Sequence, residues 1–265
     1  MTHPARPLDT PMITGAVVVA AGSGQRFGAA LPKQFHALGN RPVVAWALEA
    51  MLECPLVQVV QPVMMPELFE EHLSPWVASL PPQWRARLLP PVGGGDTRWM
   101  SVLRGVQALP AEVRVVAVHD GARPFPPAAP TARAIELVKL HPARRGAMLA
   151  APSTDSLKRV APPDASAPNA PLRVVASENR ETIWRAQTPQ VFGRAELEAA
   201  LQAAIASGAQ PGDEVEAMQA VGGCEILMVP STSENLKVTH PHDLEMARLI
   251  ATRLGGGARR TDETP

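Results

Sequence analysis

The sequence of 265 residues has few cysteines and no net charge. Its two cysteines, Cys54 and Cys224, are far apart, which argues against a disulfide framework or a zinc site. A reducing cytoplasm is the simplest setting for such a chain. Because 25 Lys and Arg residues balance 25 Asp and Glu residues, the overall charge favours neither nucleic acid nor a membrane surface as a partner. Any phosphate site must therefore come from a local cluster of cations.

Long apolar segments are also missing, since no stretch reaches the roughly 18 residues of a membrane span. Residues 1–13 are rich in proline and polar residues and lack the apolar core of a signal peptide. We predict a disordered lead-in over 1–13 and a disordered tail over 255–265. The chain between them, 14–254, is long enough for one large domain. Little chain follows the last predicted helix, and we expect no fused downstream cyclase domain.

Apolar runs alternate with segments of helical spacing along most of the chain. The runs predict strands at 16–21, 56–64, 88–92, 113–118, 146–151 and 226–229. The spacing predicts helices at 42–52, 67–79, 99–109, 131–141, 194–207, 213–221 and 241–254. This alternation is typical of an α/β fold with a doubly wound, mostly parallel, Rossmann-like sheet.

Between 155 and 185 the pattern changes. Two short strand-like pieces, 157–160 and 172–175, flank a turn rich in proline, aspartate, serine and asparagine. We predict a β-hairpin arm that projects from the sheet. Because an isolated two-stranded hairpin is only marginally stable, we expect the arm to pack against its counterpart in a homodimer.

The most informative stretch runs from Gly15 to Gln34, where an apolar strand leads into the glycine turn Gly22–Gly24. Such a turn lets backbone N–H groups approach a phosphate closely, and Arg26 and Lys33 add two positive charges beside it. A dinucleotide-binding fingerprint fits poorly because the third glycine comes one residue late, and a P-loop lacks its Gly-Lys-Ser/Thr ending. We interpret the stretch as a polyphosphate site rather than a simple strand-to-helix turn.

The segments Ala20–Phe27 and Pro32–Phe35 resemble the signature of the sugar nucleotidyltransferases. More closely, they resemble the 2-C-methyl-D-erythritol 4-phosphate cytidylyltransferases, and further motifs follow in that family's order from about Ala16 to about Ile250. The resemblance implies transfer of CMP from CTP to the methylerythritol phosphate, with release of pyrophosphate, in the non-mevalonate isoprenoid pathway. It also implies dependence on Mg²⁺ or another divalent cation.

By this resemblance, three cations are catalytic. Arg26 and Lys33 would neutralise the triphosphate and the departing pyrophosphate, and Lys237 would stabilise the α-phosphate. Since the second pKa of a phosphate monoester is about 6, the acceptor is already anionic and needs no general base. From the sequence alone, Lys237 could equally be a surface lysine at the end of a strand.

Nucleotide binding is implied for several short or small residues. In relatives, a segment that matches Gly94 to Val102 contacts cytosine and ribose; without the resemblance the same segment indicates a flexible loop with a helix cap. The residues implied to bind the nucleotide are Ala20, Ala21, Gly22, Gly24, Gly95, Asp96, Ser101 and Gly121.

The motif from His119 to Pro124 follows a predicted strand, at the edge where open α/β sheets bind ligands. The resemblance places Asp120 by the ribose and the metal, which it could bind directly or through water, and Arg123 near the acceptor phosphate. Gly121 stands where the family has alanine. The alternative is a local salt bridge between Asp120 and Arg123.

Acceptor binding is implied for Ser156, Arg180 and Thr188, partly across the dimer. Ser156 stands where threonine is usual, and Arg180 could hold a phosphate through two hydrogen bonds or remain a solvated charge. Asp213 and Glu214 open a predicted helix, and an acidic pair there helps to shape the site in relatives.

Three alternatives stay open. A ribitol 5-phosphate cytidylyltransferase would share the nucleotide motifs and differ in its acceptor. A nucleotidyltransferase could use another base. A non-catalytic nucleotide-binding module would not need the three cations, so their presence argues against it.

Overall fold

A six-stranded sheet with helices on both faces lies at the centre of the molecule, in a computed structural model that describes residues 12–22, 31–162 and 170–255. The strands of this sheet are β1 (Ile13–Val19), β4 (Val59–Val63), β5 (Val113–Asp120), β6 (Arg145–Pro152), β9 (Trp184–Gly193) and β10 (Glu225–Pro230). They lie in the order β10-β6-β9-β5-β1-β4, and only β9 pairs antiparallel to its neighbours. The prediction of a mostly parallel α/β sheet is therefore confirmed.

The helices flank the sheet in two layers. Their bounds are α1 (Val43–Glu53), α2 (Pro66–Ser79), α3 (Pro82–Arg85), α4 (Arg98–Ala108), α5 (Ala128–Leu140), α6 (Arg194–Ser207), α7 (Glu214–Val221) and α8 (Pro241–Gly255). One core cluster joins a face of the sheet to α1, α2 and α5, and a second joins the other face to α4, α6 and α7. A third, smaller cluster lies under α8.

Several elements of the described structure depart from the prediction. Residues 88–92 do not form a regular strand but make two isolated bridges to β4, at Leu88 and Val92. The intervening Pro90 and Pro91 have no N–H to donate, so a continuous ladder cannot form. A short antiparallel pair, β2 (Ala37–Leu38) and β3 (Arg41–Pro42), was not predicted.

Strand β9, also unpredicted, lies between β5 and β6 in the middle of the sheet. Its buried stretch includes Gln187, Thr188 and Gln190, whose side chains make hydrogen bonds inside the protein. This strand lacks the continuous apolar run by which a buried strand is recognised in sequence, because hydrogen bonds satisfy its polar groups.

The predicted arm contains a separate two-stranded sheet, in which β7 (Lys158–Val160) pairs antiparallel with β8 (Val174–Ser177). Residues 163–169 of its turn lie outside the described residues, and β9 begins at Trp184, at the end of the predicted arm. Of the predicted lead-in and tail, the structure describes only Met12, Ile13, at which β1 begins, and Gly255, at which α8 ends. No helix in the described ranges is long and apolar enough to cross a bilayer.

Candidate active site

The candidate site lies at one edge of the sheet, where several predicted motifs converge. The parallel strands β1 and β5 end there at Val19 and Asp120, and the chain after β10 returns to it, since Val238 N donates to Ala122 O over 2.8 Å. Thr188, in the antiparallel strand β9, also reaches this edge. Carboxyl ends of parallel strands are where open α/β sheets bind ligands.

Gln34 fixes the described part of the glycine turn. Its Nε2 donates hydrogen bonds to Ala20 O over 2.7 Å and to Gly22 O over 2.9 Å, and the side chain is buried. Lys33 precedes it in a short 3-10 turn, Lys33–Phe35. In the sequence, Gln34 was only part of a motif, and no role was predicted for it. The predicted residues Gly24 and Arg26 lie outside the described residues.

The second glycine loop packs directly on the first. A Cβ added at Gly94 would lie 2.2 Å from the Cβ of Ala21, so only glycine fits there. Ser101 holds the loop through two hydrogen bonds: its Oγ accepts from Gly95 N over 3.0 Å and donates to Thr97 O over 3.0 Å. The two predicted nucleotide-binding loops are therefore adjacent in space.

Ser101 is buried, whereas Asp96, on the same loop, is exposed to solvent. Thr97 caps α4 by accepting a hydrogen bond from Met100 N over 3.3 Å. The Ser101 hydroxyl has its hydrogen bonds within the protein, so in this arrangement it supports the loop, and the Asp96 carboxylate remains accessible to a ligand.

Asp120 lies at the centre of a cluster of opposite charges. Its Oδ1 is 2.9 Å from Arg98 Nε, and its Oδ2 is 2.8 Å from Lys237 Nζ and 3.7 Å from Arg123 Nε. Burial by itself raises the pKa of this carboxyl, but the three cations outweigh burial and hold the pKa well below its usual range. Asp120 is therefore a carboxylate at any pH of interest.

Arg98 extends this cluster to α7, because its guanidinium also binds Glu214 through two hydrogen bonds of 2.6 and 3.1 Å. The Glu214 carboxylate is fully buried. We refer to Arg98, Asp120, Arg123, Glu214 and Lys237 as the Asp120 cluster. No role was predicted for Arg98; the arginine in the Gly-Gly-Asp…Arg…Ser-Val motif was the available signal.

Among the described residues, the Asp120 cluster as it stands offers no free set of oxygen ligands for Mg²⁺. Both oxygens of Asp120 already contact cations, and both oxygens of Glu214 bind Arg98. Within the described ranges, no group of three or more His, Cys, Asp or Glu side chains could hold a metal ion. Direct coordination by Asp120, as the sequence predicts, would require the Lys237 ammonium to give up its contact.

Thr188 connects Asp120 to a buried histidine. Its Oγ1 accepts a hydrogen bond from Asp120 N over 3.0 Å and lies 2.9 Å from His119 Nδ1. His119 Nε2 is 2.9 Å from Arg123 O, a carbonyl that can only accept, so Nε2 carries the proton and Nδ1 accepts from the Thr188 hydroxyl. Burial lowers the pKa of His119 to about 4, which keeps the ring neutral.

Arg123 holds two neighbouring segments together. It donates to Asn235 O over 2.7 Å and to Ala186 O over 3.3 Å. Asn235 is fully buried and donates to Gln187 Oε1 over 3.1 Å and Thr188 O over 2.9 Å. These bonds fix the loop that carries Lys237. The predicted contact of Arg123 with the acceptor phosphate stays a prediction.

The remaining predicted residues lie at two places. Gly121 is part of the core of the site, where an added Cβ would lie 2.8 Å from the Cβ of Ala20. Ser156 and Arg180 are exposed on the arm, and Arg180 donates to Thr154 O over 3.1 Å. Among the described residues, neither side chain hydrogen-bonds to the Asp120 cluster. Their predicted contact with the acceptor across a dimer stays a prediction.

Comparison with known proteins points to one family. The family model described as IspD, 2-C-methyl-D-erythritol 4-phosphate cytidylyltransferase, matches residues 14–253. The enzyme of that name from Stenotrophomonas maltophilia (strain K279a) is 38% identical over 243 residues, which cover 91% of this chain and 97% of that protein. One from Xanthomonas campestris pv. campestris (strain 8004) is 38% identical over 255 residues, 94% of this chain and 88% of that protein.

Solved structures agree with this match. The crystal structure of 2-C-methyl-D-erythritol 4-phosphate cytidylyltransferase from Thermus thermophilus has a TM-score of 0.65 and 28% identity, over 89% of this chain and 97% of that chain. The 4-diphosphocytidyl-2C-methyl-D-erythritol synthase from Anaerococcus prevotii DSM 20548 has a TM-score of 0.76 over 92% of this chain and 97% of that chain; at 21% identity it supports the fold alone. The chain belongs to the 2-C-methyl-D-erythritol 4-phosphate cytidylyltransferase family.

Proposed function

We propose that the protein transfers CMP from CTP to 2-C-methyl-D-erythritol 4-phosphate and releases pyrophosphate, the reaction named for its family. One structural relationship carries the proposal: the Lys237 ammonium lies at the same sheet edge as the two adjacent glycine loops, where it contacts Asp120 over 2.8 Å. An accessible cation beside backbone groups suited to a polyphosphate is what such a transfer requires. The Lys237 side chain is 35% exposed, so a ligand can reach it.

In the proposed reaction, an oxygen of the acceptor phosphate attacks the α-phosphorus of CTP and forms a new P–O bond. The bond from the α-phosphorus to the oxygen that bridges it to the β-phosphate breaks, and pyrophosphate leaves with the bonding electron pair. The acceptor phosphate is anionic at neutral pH, so no side chain needs to remove a proton. The work of the protein is to position two anions and to neutralise their charge.

Three cations share that work in the proposal. Lys237 stabilises the charge that develops on the α-phosphate, as its place at the sheet edge supports. Lys33 and Arg26 belong to the segment that follows the glycine turn, and they neutralise the β- and γ-phosphates and the pyrophosphate. Asp96, Ser156 and Arg180 keep their predicted ligand contacts as part of this proposal. The buried Thr188 hydroxyl already bonds Asp120 N and His119 Nδ1, so in this arrangement it supports the site from within the protein.

A divalent cation, a homodimer and a cytoplasmic location complete the proposal. Mg²⁺ bound to the phosphates would reduce their negative charge; since the Asp120 cluster offers no ready set of ligands, the ion would arrive with CTP. The arm supports a dimer, because it exposes apolar side chains at Val160, Leu172, Val174 and Val175.

The test is pyrophosphate release from CTP, with methylerythritol phosphate and ribitol 5-phosphate compared as acceptors. Release with the first alone supports the proposal. Release with ribitol 5-phosphate alone would keep the reaction type and overturn the acceptor. No release with either acceptor, despite CTP binding, would overturn the proposed reaction. UTP and GTP in place of CTP test the choice of base in the same assay.

A further inference from the structure

Arg98 is a residue of the Asp120 cluster to which the proposed reaction gives no part, although it stands in the Gly-Gly-Asp…Arg…Ser-Val motif. It begins α4, directly after the second glycine loop. Its side chain binds two carboxylates at once, Asp120 through Nε and Glu214 through both terminal nitrogens. A planar guanidinium has donors in the fixed geometry that such double binding needs, and a lysine ammonium does not.

Glu214 serves as the fixed end of this arrangement. Its side chain is fully buried, and it starts α7 one residue after Asp213, whose carboxylate caps that helix by accepting from Glu216 N over 2.9 Å. Gln190 of β9 donates to the other oxygen of Asp213 over 3.0 Å. Helix α7 is thereby tied to the central strand, so Glu214 has little freedom to follow Arg98 if the pair is disturbed.

The free end is Lys237, whose ammonium contacts the Asp120 carboxylate over 2.8 Å. Charges therefore alternate along four side chains, from Glu214 to Arg98, Asp120 and Lys237. Each contact between neighbours is within 3.1 Å. Because a lysine side chain is long and flexible, the position of its ammonium depends on how firmly the contacting carboxylate is held.

We propose that Arg98, anchored by Glu214, is a positioning residue: it fixes the Asp120 carboxylate, and through it places the Lys237 ammonium for the transfer step. This inference rests on the proposed function, since it concerns how the same site is held ready. Arg98 need not touch CTP to act in this way. Its effect should appear in the turnover number and only weakly in the KM for CTP, because Lys237 acts on the charge that develops in the transition state.

The test is a double-mutant cycle with Arg98→Lys and Lys237→Ala, since Arg98→Lys keeps the positive charge and removes the double hydrogen bond. We expect Arg98→Lys to lower kcat at least tenfold and to change KM for CTP less than threefold. In the Lys237→Ala background the same substitution should change kcat less than twofold, because the group it positions is gone. The matched control is Arg145→Lys, which alters the Arg145–Glu225 pair at the opposite edge of the sheet and should leave kcat unchanged.

Two results would overturn the inference: a kcat for Arg98→Lys within twofold of the wild type, or an equal loss in both backgrounds. A role in folding alone predicts that equal loss. A second readout does not depend on activity, namely the rate at which a limiting amine-reactive reagent labels Lys237, measured by mass spectrometry. We expect labelling several-fold faster in Arg98→Lys, and an unchanged rate would count against the inference. If the wild type released no pyrophosphate, the proposed function would fail and the labelling rate alone would decide.

Discussion

The backbone of Gly94 lies so close to Ala21 that a methyl group on Gly94 would sit 2.2 Å from the Cβ of Ala21. This single approach joins the two glycine loops of the candidate site. The Ser101 Oγ, 2.8 Å from the same added Cβ, is a second close neighbour. The Cβ of Ala21 is attached directly to the backbone and has no rotatable bond that could move it away, so a larger residue at 94 must move backbone.

Gly94→Ala should therefore separate the two loops and weaken CTP binding at least tenfold, measured by isothermal titration calorimetry. The matched control is Gly93→Ala, because an added Cβ at Gly93 meets nothing within 4 Å. The pair Gly94→Ala/Ala21→Gly removes the closest clash and should recover part of the affinity. An unchanged affinity in Gly94→Ala would mean that the two loops do not bind the nucleotide together.

Lys237→Ala should lower kcat at least a hundredfold, a loss of about 3 kcal/mol of transition-state stabilisation by comparison with other charge-stabilising groups. Lys33→Ala should do the same if it neutralises the departing pyrophosphate. The fold should survive in Lys237→Ala, since Asp120 keeps Arg98 and Arg123 as partners. Lys139→Ala, on α5, is the matched control and should keep wild-type turnover. Near-normal turnover in either site variant would remove that lysine from the catalytic set.

Thr188→Val should destabilise the protein by about 1–3 kcal/mol, because a buried backbone N–H and the His119 ring nitrogen each lose a partner. Thr188→Ser keeps the hydroxyl and should lose less. Urea denaturation of both variants measures the difference. Equal stability of the two variants would show that the hydroxyl's hydrogen bonds contribute nothing measurable to the fold.

His119 should make the stability depend on pH. Burial lowers the pKa of His119 from its ordinary 6.5 to about 4, so between these values the unfolded chain binds a proton that the folded protein does not. The free energy of unfolding should therefore fall as pH drops from about 6.5 to about 4, by about 3 kcal/mol from this residue.

The contribution of His119 can be isolated by comparing variants over that range of pH. Burial raises the pKa of Glu214 against the effect of Arg98, so its contribution to the free energy of unfolding rises as pH falls, opposite to that of His119. Because Glu214 is present in every variant compared, its contribution cancels in the comparison. His119→Gln should have a smaller slope of unfolding free energy against pH than the wild type. His141→Gln removes an exposed histidine and should keep the wild-type slope. Parallel profiles for all three proteins would contradict the lowered pKa.

The alternation of apolar runs and helical spacing was enough to predict the parallel part of the sheet, because its strands, apart from the partly exposed edge strand β10, are largely buried. Strand β9 escaped prediction because its polar residues are satisfied only by distant partners, such as Gln190 by Asp213. The contact between Arg98 and Glu214 could not be predicted from the sequence. The two residues are 116 positions apart, and nothing local in the sequence indicates that they meet. Gln34 was partly predictable: the sequence placed it in a motif, but only the structure shows its hydrogen bonds to the glycine turn.

The place of β9 has a consequence for synthesis on the ribosome. Strands β5 and β6 follow one another in the chain, yet both pair with β9, which is completed only at Gly193. Until that residue has left the exit tunnel, the nascent chain holds two apolar strand edges with no strand between them. We therefore expect nascent chains halted before Gly193 to bind chaperones more strongly than chains halted after α6.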